Sequence, residues 1–85
     1  MKSIIQTRVH FIELTDGQNL VLVDGFSYKW HKAVKNGRRY RCVKTNMCNA
    51  HIYLYPDGTL EKQVHTHTHK PNTYKRMASG KYFKI

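Results

Sequence analysis

The residues best suited to chemistry are crowded into one stretch, residues 40–71, which reads YRCVKTNMCNAHIYLYPDGTLEKQVHTHTHKP. It holds the cysteines Cys42 and Cys48, and three histidines that alternate with threonine, His65, His67 and His69. Thiolates and imidazoles are ligands that zinc prefers, and four of them in a tetrahedron make a closed structural site. This stretch therefore predicts one structural Zn²⁺ with two cysteine and two histidine ligands.

Other interpretations of the two cysteines are weaker. A disulfide needs an oxidising compartment, and the first residues, MKSIIQTRVHFIEL, contain no apolar run of the length of a secretory signal. Two unrelated buried thiols, like a disulfide, would leave the histidines unexplained. A metal also suits a chain of 85 residues, because so small a core often needs a metal or a partner to be stable.

The spacing of the histidines indicates how they reach the metal. Residues two apart in an extended chain point the same way, so a His-x-His pair fits a strand rather than a helix. An exposed polar strand end is the alternative interpretation. His65, His67 and His69 share the same parity, so alternation allows either His65 with His67 or His67 with His69.

Two hairpins are predicted to position these ligands. The first joins FSYKWHKAVK and RRYRCVK through Asn36-Gly37, a dipeptide that favours a type I′ turn. A two-residue loop there places Lys35 opposite Arg38, and counting outward places His31 opposite Cys42 and Trp30 opposite Val43. The run LVLV, residues 20–23, reads as a preceding strand that ends at Asp24-Gly25.

The second hairpin joins HIYLY, residues 51–55, to TLEKQVH, residues 59–65, through Pro56-Asp57-Gly58. Pro presets φ and Gly accepts the left-handed conformation in such a turn. We expect Leu54 to face Leu60, with Ile52 and Val64 on the same face. The alternation predicts a small all-β fold, an antiparallel sheet of about four strands clipped by one structural Cys₂His₂ zinc. The tail after Pro71 is expected to be loose or to form a short helix around residues 74–79.

The charge of the chain is strongly positive and uneven. Fifteen Lys and Arg residues against five Asp and Glu residues give a formal net charge of +10, which favours a polyanionic partner, most often nucleic acid. We expect the first hairpin to carry most of the contacts and two tyrosines of the second to add an aromatic strip. These candidate binding residues are Lys29, Trp30, Lys32, Lys35, Arg38, Arg39, Arg41, Tyr53 and Tyr55.

Three classes of function can be compared on these residues. An enzyme is disfavoured because four protein ligands leave a zinc ion no open position, so we expect no small-molecule substrate. A basic two-stranded ribbon fits the major groove of DNA. The alternative is docking of a protein through Tyr53 and Tyr55, since aromatic residues and Arg dominate interface centres. No stretch is apolar over a length that spans a membrane.

In the order of these residues the chain resembles the FLYWCH-type zinc fingers, which run Phe, Leu, Phe or Tyr, Trp-x-Cys, Cys and His-x-His. The matching residues here are Phe11, Leu20, Phe26, Tyr28, Cys42, Cys48 and the segment HTHKP. Tyr40 stands where the family has Trp before its first cysteine. The chain is also similar to WRKY domains in its DGFSYKWHK and YRC segments, but the WRKYGQK strand is absent, so DNA readout by that strand does not carry over.

The resemblance implies His67 and His69 as the ligand pair beside Cys42 and Cys48. It implies a finger over residues 9–71, flanked by residues 1–8 and by a basic tail over residues 72–85. The chain is especially similar to the isoform-specific C-terminal fingers of insect modifier-of-mdg BTB chromatin proteins. That similarity implies a nuclear module of transcription or insulator complexes whose partner is DNA or a chromatin DNA-binding protein.

Overall fold

The computed structural model describes residues 9–44, 47–64 and 67–85, and within these ranges all regular structure is β. The main sheet is an antiparallel meander, in which each strand pairs with the next strand along the chain. The strands are β1 Val9–Glu13, β2 Asn19–Val23, β3 Phe26–Val34, β4 Gly37–Cys42, β5 His51–Leu54, β6 Leu60–Val64, β7 Tyr74–Arg76 and β8 Tyr82–Lys84. The predicted antiparallel all-β fold is confirmed, and its sheet has six strands, β1 to β6, rather than about four.

The six-stranded sheet curls on itself. The turn between β5 and β6 reaches β1, because a Cβ added at Gly58 would lie 3.5 Å from the ring of Phe11. On β6, the amide of Gln63 donates to the carboxylate of Asp24 in the β2–β3 turn, at 3.4 Å. The curl encloses one face of the sheet, which buries the hydrophobic core. Its most deeply buried large side chains are Tyr28, Ile52, Leu54, Val23 and Cys42.

Of the two turns that flank β3, the first lies at Asp24-Gly25 as predicted, and the second differs from the prediction. Asp24 and Gly25 both have positive φ, 54° and 84°, and join the paired residues Val23 and Phe26. That is the geometry of a type I′ turn. At the other end Val34 pairs with Gly37. The loop there is therefore residues 35–36, and the predicted Asn36-Gly37 turn is shifted by one residue.

A packing constraint from β5, the strand beside β4 in the sheet, explains the shift. Gly37 has a φ of 154°, and a Cβ at this position would overlap the carbonyl oxygen of Leu54 on β5. Gly37 is thus needed where β4 passes close to β5, and it cannot also serve as the second residue of the turn. The preference of Asn-Gly for turns is local and does not include this contact.

A β-bulge changes the register further along the hairpin. Trp30 pairs with Tyr40 and Lys32 pairs with Arg39, so His31 is the extra residue on β3. The predicted pairings of His31 with Cys42 and of Trp30 with Val43 are therefore wrong. Tyr28 is the residue opposite Cys42.

The second hairpin has the predicted turn and a bulge of its own. Leu54 pairs with Leu60, and the N–H of Tyr55 donates to the carbonyl of Thr59 at 2.8 Å, which confirms the three-residue loop. The register then shifts, so that Val64 pairs with His51. Val64 consequently lies on the face of His51, and its predicted position beside Ile52 and Leu54 is wrong.

The C-terminal tail forms the β7–β8 hairpin rather than a loose segment or a helix. It is attached to the main sheet at two places. The N–H of Thr15 donates to the carbonyl of Tyr82 at 2.9 Å, and the hydroxyl of Tyr74 donates to Ser27 on β3 at 2.9 Å. Within the part of the chain that the structure describes, no helix has the length and apolarity needed to cross a lipid bilayer.

Replacing Gly37 tests the close approach of β4 to β5. Gly37→Ala should destabilise the zinc-loaded protein by about 3 kcal/mol or more in urea unfolding, because the added Cβ overlaps a buried backbone carbonyl. Gly80→Ala is the matched control: its φ is +93° and nothing lies within 4 Å of the added Cβ. Strain alone should cost about 1–2 kcal/mol there. Equal losses in the two variants would contradict the proposed overlap.

Candidate metal centre

The two cysteines meet because the chain turns back on itself between β4 and β5. Cys42 is the last residue of β4, and its N–H donates to the carbonyl of Ala50 at 3.0 Å. Cys48 lies within the intervening loop, where its N–H donates to the carbonyl of Lys44 at 2.9 Å. These backbone bonds hold both sulfur atoms at one end of the sheet.

The histidines arrive from the segment that follows β6. The hydroxyl of Thr68 donates to the carbonyl of Met47 at 2.5 Å, which ties this segment to the cysteine loop between the two histidines. The ligand atoms of Cys42, Cys48, His67 and His69 all lie within 4.8 Å of one another. The four residues predicted as ligands are therefore brought together, whereas His65 lies outside the described residues.

The spacing of these atoms fits a tetrahedral zinc ion. Zn–S bonds of about 2.3 Å and Zn–N bonds of about 2.0 Å separate neighbouring ligand atoms by about 3.3–3.8 Å. The Sγ of Cys42 lies 3.2 Å from Nε2 of His69, and the Sγ of Cys48 lies 3.4 Å from Nδ1 of His67. Both cysteines are free and buried, as thiolates shielded in a structural site would be.

The ring of His69 is oriented by a backbone carbonyl. Its Nδ1 lies 2.7 Å from the carbonyl oxygen of Lys70. A carbonyl oxygen can only accept, so Nδ1 carries the proton and donates, and the lone pair is left on Nε2, the atom beside Cys42. Such a hydrogen bond on the far side of a ligand ring fixes its tautomer and direction.

The ring of His67 is held by two aromatic side chains of β3. Phe26 stacks on it with ring centroids 3.6 Å apart and planes 5° from parallel. The hydroxyl of Tyr28 lies 2.6 Å from Nε2 of His67. When Nδ1 binds a metal through its lone pair, Nε2 carries the proton and donates to this hydroxyl. His67 is thus arranged to bind through Nδ1 and His69 through Nε2.

The surroundings of the centre shift the pKa values of three of its residues, His67, Cys42 and Cys48. Burial, followed by the proximity of His69, lowers the pKa of His67 and keeps its imidazole neutral. Burial raises the pKa of Cys42. Burial also acts to raise the pKa of Cys48, but hydrogen bonds from the backbone N–H groups of Ala50 and Thr68, together with those to the side chains of Cys42 and His69, outweigh it, so that this pKa is lowered. Donors of this kind stabilise a thiolate ligand.

The candidate binding residues are divided between the two faces of the sheet. Tyr40 pairs with Ile52 in the core, so Trp30, which pairs with Tyr40, lies on the core side, where 58 % of its surface is exposed. Arg38 pairs with Leu54 and donates to the carbonyl of Pro56 at 3.3 Å, at the rim of the same side. Lys35 lies in the β3–β4 turn and Tyr55 at the β5–β6 turn.

The remaining candidates share the opposite side, which we call the outer face. One row across the strands runs Lys29, Arg41 and His51, and the next runs Lys32, Arg39, Tyr53 and Lys62. The structure therefore gathers Lys29, Lys32, Arg39, Arg41 and Tyr53 on one surface.

Sequence reasoning missed the support that β3 gives to the metal centre. It assigned Phe26 and Tyr28 as matches to a family pattern, without a role beside His67. The pairing of Tyr28 with Cys42 would have indicated that role, but the predicted register placed His31 there. It also missed Lys62, which the register shift after the Leu54–Leu60 pair, and not simple alternation, places opposite Tyr53.

Removing the hydroxyl of Tyr28 tests its effect on His67. Tyr28→Phe keeps the buried ring and should still bind zinc, but with an affinity lower by about 10- to 100-fold, as for other partners of metal-bound histidines. Competition with a chelator measures this. Tyr74→Phe is the matched control, because it also removes a tyrosine hydroxyl that is hydrogen-bonded to a residue of β3, in this case Ser27. An unchanged affinity in Tyr28→Phe would show that the hydroxyl does not orient the ligand.

Comparison with known proteins agrees with this geometry. The family model described as the FLYWCH zinc finger domain matches residues 11–69, well over half of the chain and all four clustered residues. Searches of curated proteins and of solved structures found no significant match. The chain therefore belongs to the FLYWCH zinc finger domain family, a family of zinc-binding modules, and its Cys₂His₂ cluster is consistent with one zinc ion.

Proposed function

We propose that this finger is a non-enzymatic module of a nuclear chromatin or transcription protein, and that it associates with DNA through its outer face. The observation that supports this most strongly is the pairing of like charges across β3 and β4. Lys29 lies opposite Arg41, and Lys32 lies opposite Arg39. Like charges directly opposite each other destabilise a sheet, so a surface that keeps two such pairs is suited to a polyanion that relieves the repulsion.

The position of Tyr53 also favours DNA over protein docking at this face. The guanidinium carbon of Arg39 lies 5.9 Å from the centre of its ring, and the Nζ of Lys62 lies 4.8 Å from the same centre. Cations at this distance are attracted to the ring. Tyr53 thus contacts two cations of the outer face rather than forming an open aromatic anchor.

The second candidate function is docking of a protein, in the manner of an isoform-specific finger of a BTB chromatin or insulator protein. It is favoured by the other side of the sheet, where a cavity of about 340 Å³ lies among β1, β2, β3 and β4. Phe11 and Trp30 line it and are 57 % and 58 % exposed. Exposed aromatic residues beside an apolar groove are typical of protein interfaces.

We further propose that Cys42, Cys48, His67 and His69 are the zinc ligands and that the fold depends on the metal. Zinc binding in small fingers is folding free energy, on the order of 10 kcal/mol. Full removal of the metal by a chelator should collapse the dispersed amide NMR spectrum, and added Zn²⁺ should restore it. A spectrum that stays dispersed after complete removal would show that the sheet is stable without zinc.

Single histidine variants distinguish the two possible ligand pairs. His69→Ala should abolish zinc binding or weaken it at least 100-fold, because it removes a ligand. His65→Ala should keep one zinc per chain with an affinity close to that of the unchanged protein, and it serves as the matched control from the same HTHTH segment. Metal content and chelator competition measure both. Zinc loss in His65→Ala alone would move the site to His65 and His67.

Charge variants test whether DNA binds to the outer face. Replacing Lys29, Lys32 and Arg41 together by Gln should flatten the dependence of log affinity on log salt by about 2–3 units, near 0.9 per lost phosphate contact. The control replaces Lys75, Arg76 and Lys84 of the β7–β8 hairpin, the same number of Lys and Arg residues, and should change the slope by less than about 1 unit.

The same titrations decide between the two candidate functions. Equal effects of the two triple variants would mean that DNA responds to net charge rather than to this face. If binding to random duplex is lost at physiological salt and no preferred sequence is found, docking through the side of Phe11 and Trp30 becomes the better proposal.

A further inference from the structure

The outer face contains a notch beside the β-bulge. The notch is a cavity of about 320 Å³, and its polar lining consists of His31, Arg39, Arg41, Asn49 and His51. The other lining residues are Cys48 and Ala50, so no Asp or Glu is found among the described residues that line the notch. Three of the polar residues come from the β3–β4 hairpin and two from the loop and strand that follow.

Two side-chain nitrogen atoms at the notch lack partners. Nδ1 of His31 and Nε of Arg39 are buried atoms with no hydrogen-bond partner among the residues that the structure describes. A buried polar atom left unpaired costs about 1–3 kcal/mol, and such atoms in folded proteins call for an explanation. Here the two unpaired nitrogens belong to residues that line the same cavity, which suggests that a ligand with acceptor oxygens satisfies both.

The bulge explains why the notch exists. His31 is the residue of β3 without a partner on β4, inserted between the pairs Trp30–Tyr40 and Lys32–Arg39. A bulge re-aims side chains and interrupts the ladder of backbone hydrogen bonds. Here it inserts the imidazole of His31 between the two pairs of basic residues, Lys29–Arg41 and Lys32–Arg39. The opposite wall is fixed by His51, whose Nδ1 donates to the carbonyl of Asn49 at 3.0 Å.

The chemistry of the notch selects an anion with several oxygens. A guanidinium presents its N–H groups as a fork that matches the oxygens of phosphate. Burial, followed by the positive charges of Arg41 and Arg39, lowers the pKa of His31, which reflects a positive potential at this position. Arg39 is held in place by its contact with the ring of Tyr53, so little side-chain freedom is lost when it binds a ligand.

We propose that this notch is a phosphate site, in which Arg39 and His31 donate to the oxygens of one backbone phosphate of duplex DNA. The site rests on the proposed association with DNA and deepens it, because it names one contact that depends on hydrogen-bond geometry rather than on charge alone. The other cations of the outer face then make ordinary backbone contacts on either side of this phosphate.

A charge-preserving variant separates geometry from charge. Arg39→Lys keeps the positive charge but removes the guanidinium fork and its Nε–H. It should weaken binding of the zinc-loaded protein to a random 12-base-pair duplex by about tenfold at constant salt, the effect of one lost charge-assisted hydrogen bond. Arg76→Lys on the β7–β8 hairpin is the matched control and should change affinity by less than about twofold. Zinc content and the amide NMR spectrum check that both variants are folded.

A titration of the unchanged protein with inorganic phosphate tests the notch without DNA. The Nε–H signal of Arg39 and the ring signals of His31 should shift saturably with phosphate, and not with chloride at the same ionic strength. Acetate, which stands for an acidic protein side chain, should shift them less. The absence of a saturable shift, or equal shifts with acetate, would overturn the phosphate site.

The two experiments fail in different ways. If the unchanged protein binds duplex DNA but Arg39→Lys binds it equally well, the notch proposal is overturned while the proposed function stands. If the unchanged protein does not bind DNA at all, the proposed function fails, and the phosphate titration alone decides whether the notch takes phosphate.

Discussion

The closure of the chain around one metal centre is the constraint on which the rest of this structure depends. Cys42 and His69 lie 27 residues apart, and the β5–β6 hairpin lies between them. Holding these points together costs loop-closure entropy, and the core that would otherwise offset it is small. A zinc ion bound at this centre would offset this cost directly, since binding to ligands that meet only in the folded chain is folding free energy. Through Phe26 and Tyr28 the same centre also fixes β3.

Much of this arrangement could be predicted from local sequence. Alternation and turn residues indicated an antiparallel sheet, and the Pro56-Asp57-Gly58 turn indicated the pairing of Leu54 with Leu60. Residue types indicated a Cys₂His₂ site, and the family resemblance was needed to choose His67 and His69 over His65 and His67. Register was harder to predict, because it depends on contacts with residues outside the hairpin. Gly37 is placed by the carbonyl of Leu54. The bulge at His31 then moves Tyr28, rather than His31, opposite Cys42, and neither effect leaves a signal in the hairpin's own residues.

The strands that sequence reasoning missed are short and depend on tertiary contacts. β7 and β8 have three residues each, too few for alternation to distinguish a strand from a loop. They are held by the backbone bond from Thr15 to Tyr82 and by the ion pair between Lys81 and Glu13, with 3.8 Å between Nζ and Oε2. That pair is half exposed and contributes little by itself, so the backbone bond and the contact of Tyr74 with Ser27 carry most of the attachment.

The metal centre and the basic outer face are linked through the loop that follows Cys48. Cys48 belongs to the four-residue cluster and also lines the notch. His51, another lining residue of the notch, lies in the same row of the outer face as Lys29 and Arg41. A surface with Lys and Arg in direct opposition is unfavourable on its own, and it persists only if other interactions hold β3 against β4. The zinc centre lies at the end of those same strands. Zinc bound at this centre would therefore stabilise more than a small core: it would also hold these like charges at fixed spacings, which is the pre-organisation that the proposed phosphate-binding surface needs.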